Sequence, residues 1–396
     1  MKPTKTLTYF PLFLVLYEVA MYVSNDAYLP ALPFMQHYLH TTNYLIQWSM
    51  TLFFLGNITT QLLLGVIADK YGYRRVLFSG GAMFVASTLL CTLSPSIDYL
   101  LIGRFFQGAS ITTMSIAGYA TIHALYDQTK AIKTLAWMSS VTILAPAFGP
   151  LLGSLILLVA SWRWVFFIPG LFGLCALYFL YRHMPEVSTK NTATSFKQMM
   201  YAYSHLIKTP SFIRPCLVLT LVFAAMIAWI AAGSFLVIDC FHQTGVQFGI
   251  IQAIIFSAFI VGSRLTSVSL TRKKWSLTQL THASVLLSCS GSFLCLLLTM
   301  VSNNVWGFMG TMMLISLGAG VGFPVFNRLA IEGSSLPMGI KVAFFSFSTG
   351  FGAFLGSFLV SKFYTQTALS FAILITVLTA ITLPIHFSLL AQQSEK

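Results

Sequence analysis

Twelve apolar runs, each 21 to 29 residues long, follow one another along the 396-residue chain. A run of this length forms a helix that crosses the hydrocarbon core of a bilayer. Hydrophobic residues make up 57% of the chain and charged residues only 8%, too few to cover a water-soluble globule. The sequence therefore predicts an all-α integral membrane protein with twelve transmembrane helices. The predicted spans are 8–30, 44–67, 75–95, 97–122, 131–158, 162–182, 212–240, 246–270, 276–301, 303–331, 339–363 and 367–390.

The distribution of basic residues predicts the orientation. Lys and Arg concentrate in or beside the even-numbered connections, whereas the odd-numbered connections hold only Arg163 and Lys362. Because cytoplasmic loops carry the excess of Lys and Arg, both termini of this multi-pass membrane protein are predicted to be cytoplasmic. This topology also explains the net charge of +13, which forms no contiguous basic face for nucleic acid.

The longest polar interval divides the spans into six and six. Three segments are predicted: an N-terminal six-helix bundle over 1–182, a cytoplasmic linker over 183–211, and a C-terminal six-helix bundle over 212–396. Within the linker, Phe196, Met199 and Tyr203 recur at helical spacing. This spacing predicts an amphipathic helix that lies on the headgroups.

The first span contains two acidic residues, Glu18 and Asp26. A charge at the bilayer centre costs about 2.5–3.5 kcal/mol on insertion scales, so both acids are expected to face protein or a water-filled cavity. If the helix starts near Thr8, Glu18 lies about 15 Å deep and Asp26 about 27 Å deep, roughly 80° apart around the helix. We expect them to line one cavity and to bind protons; the alternative is that they only hydrogen-bond neighbouring helices.

Arg104 is the basic residue expected to accompany these acids. It lies about 10 Å below the outer surface, close to the depth of Asp26, which predicts a charge pair. The two carboxyl groups would then differ in proton affinity, because desolvation favours the neutral form and a guanidinium favours the charged one. Snorkelling of Arg104 toward the headgroups is the alternative.

Other kinds of chemistry lack the residues that they need. The six cysteines form no CxxC pair and no cluster with His at metal-ligand spacing. The chain has no HExxH, no Walker GxxxxGK[ST], no dinucleotide-binding context and no nucleophile elbow. We therefore expect a protein that is not an enzyme and that has no metal site and no cofactor, with protons as the coupling ion.

The connection after the second span reads Gly65-Val-Ile-Ala-Asp69-Lys70-Tyr-Gly72-Tyr73-Arg74-Arg75. It resembles the motif GxxxD(R/K)xGRR of the major facilitator superfamily, with Tyr73 in place of a basic residue. The resemblance implies two six-helix bundles and a role in conformational gating for Gly65, Asp69, Lys70, Gly72, Arg74 and Arg75. It also implies that Asp69 packs near Gly339 to Lys341, at the start of the eleventh helix.

The fifth span reads Ala145-Pro146-Ala-Phe-Gly149-Pro150-Leu-Leu-Gly153. This sequence resembles the Pro/Gly signature of the drug:proton antiporters in that superfamily, with Ala145 where Gly is usual. Small residues let helices approach closely, and proline frees backbone groups so that a helix can bend. The resemblance implies that Gly149, Pro150 and Gly153 also take part in gating.

Three further segments resemble multidrug transporters of the same superfamily in order and spacing: Leu14 to Glu18 with Asn25-Asp26, Arg104-Phe-Phe-Gln107-Gly108, and Gly118-Tyr119-Ala120. The resemblance implies that Glu18 and Asp26 bind protons and cations beside Arg104. It implies a substrate pocket lined by Tyr22, Asn25, Tyr119, Met138, Thr142, Pro146, Met226, Ile227 and Ile230.

The resemblance implies proton-coupled export of lipophilic, often cationic drugs by alternating access across the inner membrane of a bacterial cell. The expected partners are small-molecule substrates and membrane lipid, without nucleic acid, and the expected state is a monomer. A dedicated metabolite, siderophore or nutrient carrier of the same fold is the main alternative. A non-transporting membrane receptor is a weaker one, because the acids of the first span speak against it.

Overall fold

The computed structural model describes residues 5–142, 144–187, 196–272, 275–302 and 304–394. Within these ranges all the regular secondary structure is helical. The chain forms two compact units, residues 1–196 and 197–396. The division falls inside the segment 183–211 that the sequence predicts as a linker.

The first unit contains ten α-helices, a short 3₁₀ turn at Leu29–Ala31 and a π-helical turn at Met114–Gly118 within its described residues. The helices are α1 Lys5–Asp26, α2 Leu32–Tyr38, α3 Asn43–Gln61, α4 Leu64–Tyr71, α5 Tyr73–Leu93, α6 Ile97–Thr113, α7 Tyr119–Leu125, α8 Gln128–Thr142, α9 Ala145–Val159 and α10 Trp164–His183.

Three predicted spans of this unit are interrupted rather than continuous. In the second span, α3 ends at Gln61 and the next helix, α4, begins at Leu64. The π-helical turn interrupts the fourth span. In the fifth span, Pro146 has no N–H to donate, and α9 begins anew at Ala145.

The second unit consists of eight α-helices and a π-helical turn at Leu236–Cys240, counted over its described residues. Its first helix, α11, lies in the predicted linker. The helices are α11 Phe196–Ile207, α12 Pro210–Phe235, α13 Gly245–Thr271, α14 Leu277–Val301, α15 Val305–Glu332, α16 Met338–Phe363, α17 Ala368–Ala380 and α18 Thr382–Ser394.

Helix α11 docks on protein along part of the face that the sequence assigns to the headgroups. Met199, Tyr203 and Leu206 are buried, and the Tyr203 ring lies 5.7 Å from that of Phe344. Tyr201 stays 75% exposed on the other side. Met199 and Tyr203 of the predicted apolar stripe, together with Leu206, therefore pack α11 against protein within the second unit.

Eight helical segments among the described residues are long and apolar enough to cross a membrane. They coincide with the third span, the sixth span and all six spans of the second unit. The other four predicted spans coincide with α1 and with the three interrupted helices, of which Ala145–Val159 is apolar but short. These helices indicate that the protein spans a membrane.

Close helix contacts fix the position of α6, which carries Arg104. A Cβ added at Gly56 would collide with the backbone of Phe105, and one added at Gly108 would collide with the backbone of Phe53. The absence of side chains at the two glycines therefore lets α3 and α6 touch backbone to backbone. This contact brings Arg104 against the side chains of α1 and α3.

Candidate functional site

Glu18 lies in the middle of α1 and is 2% exposed. Its Oε1 accepts a hydrogen bond of 2.6 Å from the hydroxyl of Tyr119, the first residue after the π-helical turn. Its Oε2 has no hydrogen-bond partner among the described residues. A buried carboxyl group with one free oxygen can hold a proton there or meet a cation.

Asp26, the last residue of α1, is linked to Arg104 through an amide. The predicted direct pair between the two charged groups is not present among the ion pairs of the described residues. Instead, Arg104 Nη2 donates to Asn25 Oδ1 at 2.6 Å, and Asn25 Nδ2 donates to Asp26 Oδ1 at 3.0 Å. Asn25 therefore connects the guanidinium to the carboxylate while holding them apart.

Arg104 is fully buried, and its guanidinium lies between two aromatic rings. The rings of Tyr28 and Phe53 have their centroids 4.1 and 4.3 Å from its Cζ atom. Its Nη1 donates to Gln107 Oε1 at 2.6 Å, and its Nε donates to the Ser49 carbonyl at 3.4 Å. These contacts show an interior arginine, so the snorkelling alternative does not describe this structure.

Gln107 is a site residue whose role the sequence did not reveal. Its Nε2 donates to Ser24 Oγ at 2.8 Å and to Thr88 Oγ1 at 2.9 Å, while its Oε1 accepts from Arg104. One side chain thus ties α1 and α5 to α6. The available signal was an amide three residues after Arg104 on an apolar helix, which places both on one face.

Two predicted gating glycines pack α9 directly against the end of α1. A Cβ added at Gly149 would lie 2.7 Å from the Asp26 Cβ, and one added at Gly153 would collide with the Ala27 carbonyl oxygen. Pro150 is buried between them in the same helix. Helix α9 of the fifth span therefore packs against the end of α1, which carries Asp26.

The other predicted pocket residues of the first unit fall near the two acids or on the helices beside them. Tyr22 is partly buried on α1, four residues after Glu18 and therefore about one helical turn from it. Met138 is fully buried on α8, and Thr142 ends that helix with its hydroxyl donating to the Met138 carbonyl at 3.3 Å. Pro146 is partly buried in the first turn of α9.

The remaining predicted pocket residues, Met226, Ile227 and Ile230, are buried on α12 of the second unit. The neighbouring Trp229 is fully buried and donates from Nε1 to Gln252 Oε1 at 2.6 Å. This hydrogen bond links α12, which carries the three apolar side chains, to α13.

The turn between α4 and α5 carries the predicted gating motif. Gly72 has φ +92°, a conformation that L side chains rarely adopt, and Gly65 lies in α4 with open space around it. The Tyr73 hydroxyl donates to Asp69 Oδ1 at 3.0 Å, so the residue that departs from the family pattern holds the motif's acid locally. Lys70 and Arg75 are exposed.

Lys341 lies in the first turn of α16 and is 9% exposed. Its Nζ donates to the carbonyls of Ile331 and Ser334 at 2.8 and 2.9 Å. Because the end of a helix presents unpaired carbonyls and a partial negative charge, Lys341 caps α15. This role was not apparent from the sequence.

In the part of the chain that the structure describes, no group of three or more His, Cys, Asp or Glu residues could hold a metal ion. The polar side chains of the site are two carboxyl groups, one guanidinium, and the amides and hydroxyls that orient them. This set can exchange protons and bind cations without a covalent step.

Comparison with known proteins places this arrangement in a family. Among curated relatives, the chloramphenicol resistance protein CraA of Acinetobacter baumannii is 29% identical over 91% of this chain and 87% of its own length. The multidrug resistance protein MdtM of Salmonella typhimurium is 29% identical over 84% and 81%. The multidrug transporter MdfA of Yersinia pestis is 34% identical over 67% and 64%.

Solved structures share the fold at low sequence identity. A bacterial homologue of the human lysosomal transporter Spinster matches with a TM-score of 0.75 at 12% identity, over 98% of this chain and 97% of its own. A D-xylose-proton symporter matches with a TM-score of 0.76 at 12% identity, over 96% and 98%. The family model of the Major Facilitator Superfamily matches residues 14–337. The chain therefore belongs to the Major Facilitator Superfamily and is a membrane transporter, not an enzyme.

Proposed function

We propose that this protein is a proton-coupled exporter of lipophilic, often cationic drugs, with twelve membrane spans and both termini in the cytoplasm of a bacterial cell. The names of the relatives support drug transport. The observation that carries the coupling is the buried Glu18 carboxyl group, which has one oxygen bound by Tyr119 and the other without a partner among the described residues.

Competition for the carboxyl groups is the proposed coupling mechanism. When the cavity opens to the cytoplasm, a cationic substrate meets deprotonated Glu18 or Asp26; after the two bundles rock, external protons neutralise the acids and release it. The predicted pocket residues of the first unit, on α1, α7, α8 and α9, would then contact the apolar parts of the substrate. Methionine and aromatic side chains suit such a role because they adapt to many shapes and attract cations.

Glu18 and Asp26 are proposed to act as two separate proton-binding sites. Glu18 is held by a neutral hydroxyl, whereas Asp26 is connected through Asn25 to a permanent positive charge. Because the neighbours of the two acids differ, we propose that each takes up and releases its proton at a different step of the transport cycle.

The driving force depends on substrate charge. Exchange of one proton for one monovalent cation moves no net charge, so the membrane potential, about 2.3 kcal/mol per charge per 100 mV, is not used. Such substrates would be exported by the pH gradient alone. Neutral substrates would draw on both the gradient and the potential.

Export from inverted vesicles tests this proposal. The double variant Glu18→Gln/Asp26→Asn should lose substrate-induced proton release and export of an ethidium-type dye. Tyr119→Phe should weaken both, because it removes a hydrogen bond that Glu18 accepts. Glu332→Gln changes an exposed acid at the end of α15 and is the matched control. Undiminished transport by the double variant would refute the carboxylate mechanism.

The same vesicles distinguish the alternative cargo. A panel of drugs and metabolites, scored by quenching of the pH gradient, should respond to several unrelated lipophilic compounds. A response to one metabolite, siderophore or nutrient alone would identify a dedicated carrier. We further propose a monomer without cofactor, with small-molecule substrates and surrounding lipid as its only partners and no nucleic acid among them.

A further inference from the structure

A cleft lined by both polar and apolar side chains lies at one end of the first unit, where the turn between α4 and α5 meets the end of α10. Its volume is about 390 Å³, which is larger than a single phosphate group needs. The turn contributes Gly72, α5 contributes Tyr73, Arg74 and Arg75, and the end of α10 contributes Tyr181. This cleft is separate from the side chains around Glu18 and Asp26.

Two arginines supply positive charge to the cleft. Arg75 is exposed and makes no hydrogen bond or ion pair in the described part of the chain. Arg74 is positioned by its neighbours: its Nη2 donates to the Tyr181 carbonyl at 3.1 Å, and its Cζ lies 5.2 Å from the Tyr181 ring centroid. A guanidinium has five N–H donors, so Arg74 retains donors for a ligand.

The acidic residue at the mouth of the cleft makes only a loose contact. Glu186 Oε1 lies 3.5 Å from Arg74 Nη1, and the Glu186 side chain is 84% exposed. Exposed ion pairs of this kind contribute little stability. A phosphate oxygen, which binds arginine in the same forked geometry as a carboxylate, could therefore displace Glu186 from Arg74.

The surroundings of the cleft resemble a membrane surface. Tyr71, Tyr178 and Tyr181 are all more than half exposed, and tyrosine is enriched where the headgroups meet the hydrocarbon core. Further along α10, Leu174 and Phe167 lie on the same helix face as Tyr181 and expose apolar side chains that acyl chains can cover. A ligand with a phosphate at the cleft and hydrocarbon along α10 would match both parts.

We propose that this cleft binds the phosphate of an anionic membrane phospholipid, with Arg75 and Arg74 on the phosphate oxygens and Glu186 as the competing carboxylate. Basic pockets between transmembrane helices bind anionic headgroups by this chemistry. The proposal requires only that this end of the unit lie at a membrane surface. The lipid-binding proposal is therefore independent of proton coupling and of the transported substrate.

Native mass spectrometry of the full-length protein tests the site, with phosphatidylglycerol and phosphatidylcholine offered in equimolar amounts. We expect preferential binding of phosphatidylglycerol. Arg75→Gln should lower its apparent affinity about fivefold, the effect of roughly one lost basic contact near a membrane surface. Glu186→Gln should raise the affinity, because it removes the competing charge. Both residues are exposed, so the fold does not depend on them.

Arg182→Gln is the matched control, because Arg182 lies beside Tyr181 but does not line the cleft. If Arg182→Gln and Arg75→Gln reduce binding equally, the attraction is diffuse and the proposed site is refuted. A decrease with Glu186→Gln would refute the competition. Displacement of the lipid by millimolar inorganic phosphate would identify a soluble phosphate site instead and overturn the assignment to lipid.

Discussion

Replacement of Arg104 by methionine tests whether its contacts hold the polar cluster together. Methionine has a similar length but no donor, so Asn25 Oδ1 and Gln107 Oε1 would each lose a hydrogen bond of 2.6 Å inside the protein. A buried acceptor left without its donor costs about 1–3 kcal/mol, so the two together amount to roughly 2–6 kcal/mol. Asn25 would also lose the contact that orients its amide toward Asp26.

Arg104→Lys should cost about half as much. An ammonium group is a single centre, whereas Nη1 and Nη2 of the guanidinium serve two separate oxygens. Lysine can therefore satisfy one acceptor and leave the other without a donor, a loss of about 1–3 kcal/mol. Its charge would still lie between Tyr28 and Phe53, which favour a cation.

Thermal and denaturant unfolding of the protein in mild detergent would measure these differences. The expected order of stability is wild type, then Arg104→Lys, then Arg104→Met. Arg272→Met, which changes an exposed arginine at the end of α13, should stay within about 0.5 kcal/mol of wild type. Dye export should fall in the same order as stability, with the methionine variant inactive.

A double-mutant cycle provides the refutation. The double variant Arg104→Met/Asn25→Leu lacks both partners of the 2.6 Å contact. Asn25→Leu should therefore lower the free energy of unfolding less in the Arg104→Met background than in the wild-type protein. A coupling of about 0.5–3 kcal/mol is expected for residues in direct contact. If the two changes are strictly additive, the contact carries no energy and the proposed organisation of the cluster is wrong.

Two further predictions concern helix contacts. Gly153→Val should lower the melting temperature and transport, because its side chain would collide with the Ala27 carbonyl. Gly310→Ala places its side chain in open space and should change neither. Equal effects of the two variants would contradict the close contact of α9 with α1. Trp229→Phe should destabilise the protein by about 1–3 kcal/mol in denaturant titrations by leaving Gln252 Oε1 without its donor, and an unchanged midpoint would contradict that role.

Hydropathy was sufficient to predict a helical membrane protein, and eight of the predicted spans coincide with long apolar helices among the described residues. Apolar runs of bilayer length define the helices whatever their neighbours, and a charge within such a run must find a polar environment. Depth along a helix follows from the rise per residue, so Arg104 could be placed near the level of Asp26. The two share one hydrogen-bonded chain through Asn25.

The sequence did not reveal which side chains meet across helices. Gln107 joins three helices through Ser24 and Thr88, but serine and threonine are common in membrane helices and nothing local distinguishes these two. Asn57 and Thr60 of α3 both donate to the Thr112 hydroxyl of α6, and nothing local in the sequence marks Thr112 as their partner. Such contacts depend on tertiary distances that spacing along one helix does not contain.

The amide of Asn25 makes this position sensitive to a change that preserves shape. Asn25 accepts from Arg104 with its oxygen and donates to Asp26 with its nitrogen, so its two ends are not interchangeable. Aspartate has the same outline but no donor, and it would place a second negative charge beside Asp26. Asn25→Asp preserves the volume of the side chain, but the new carboxylate would compete with Asp26 for Arg104.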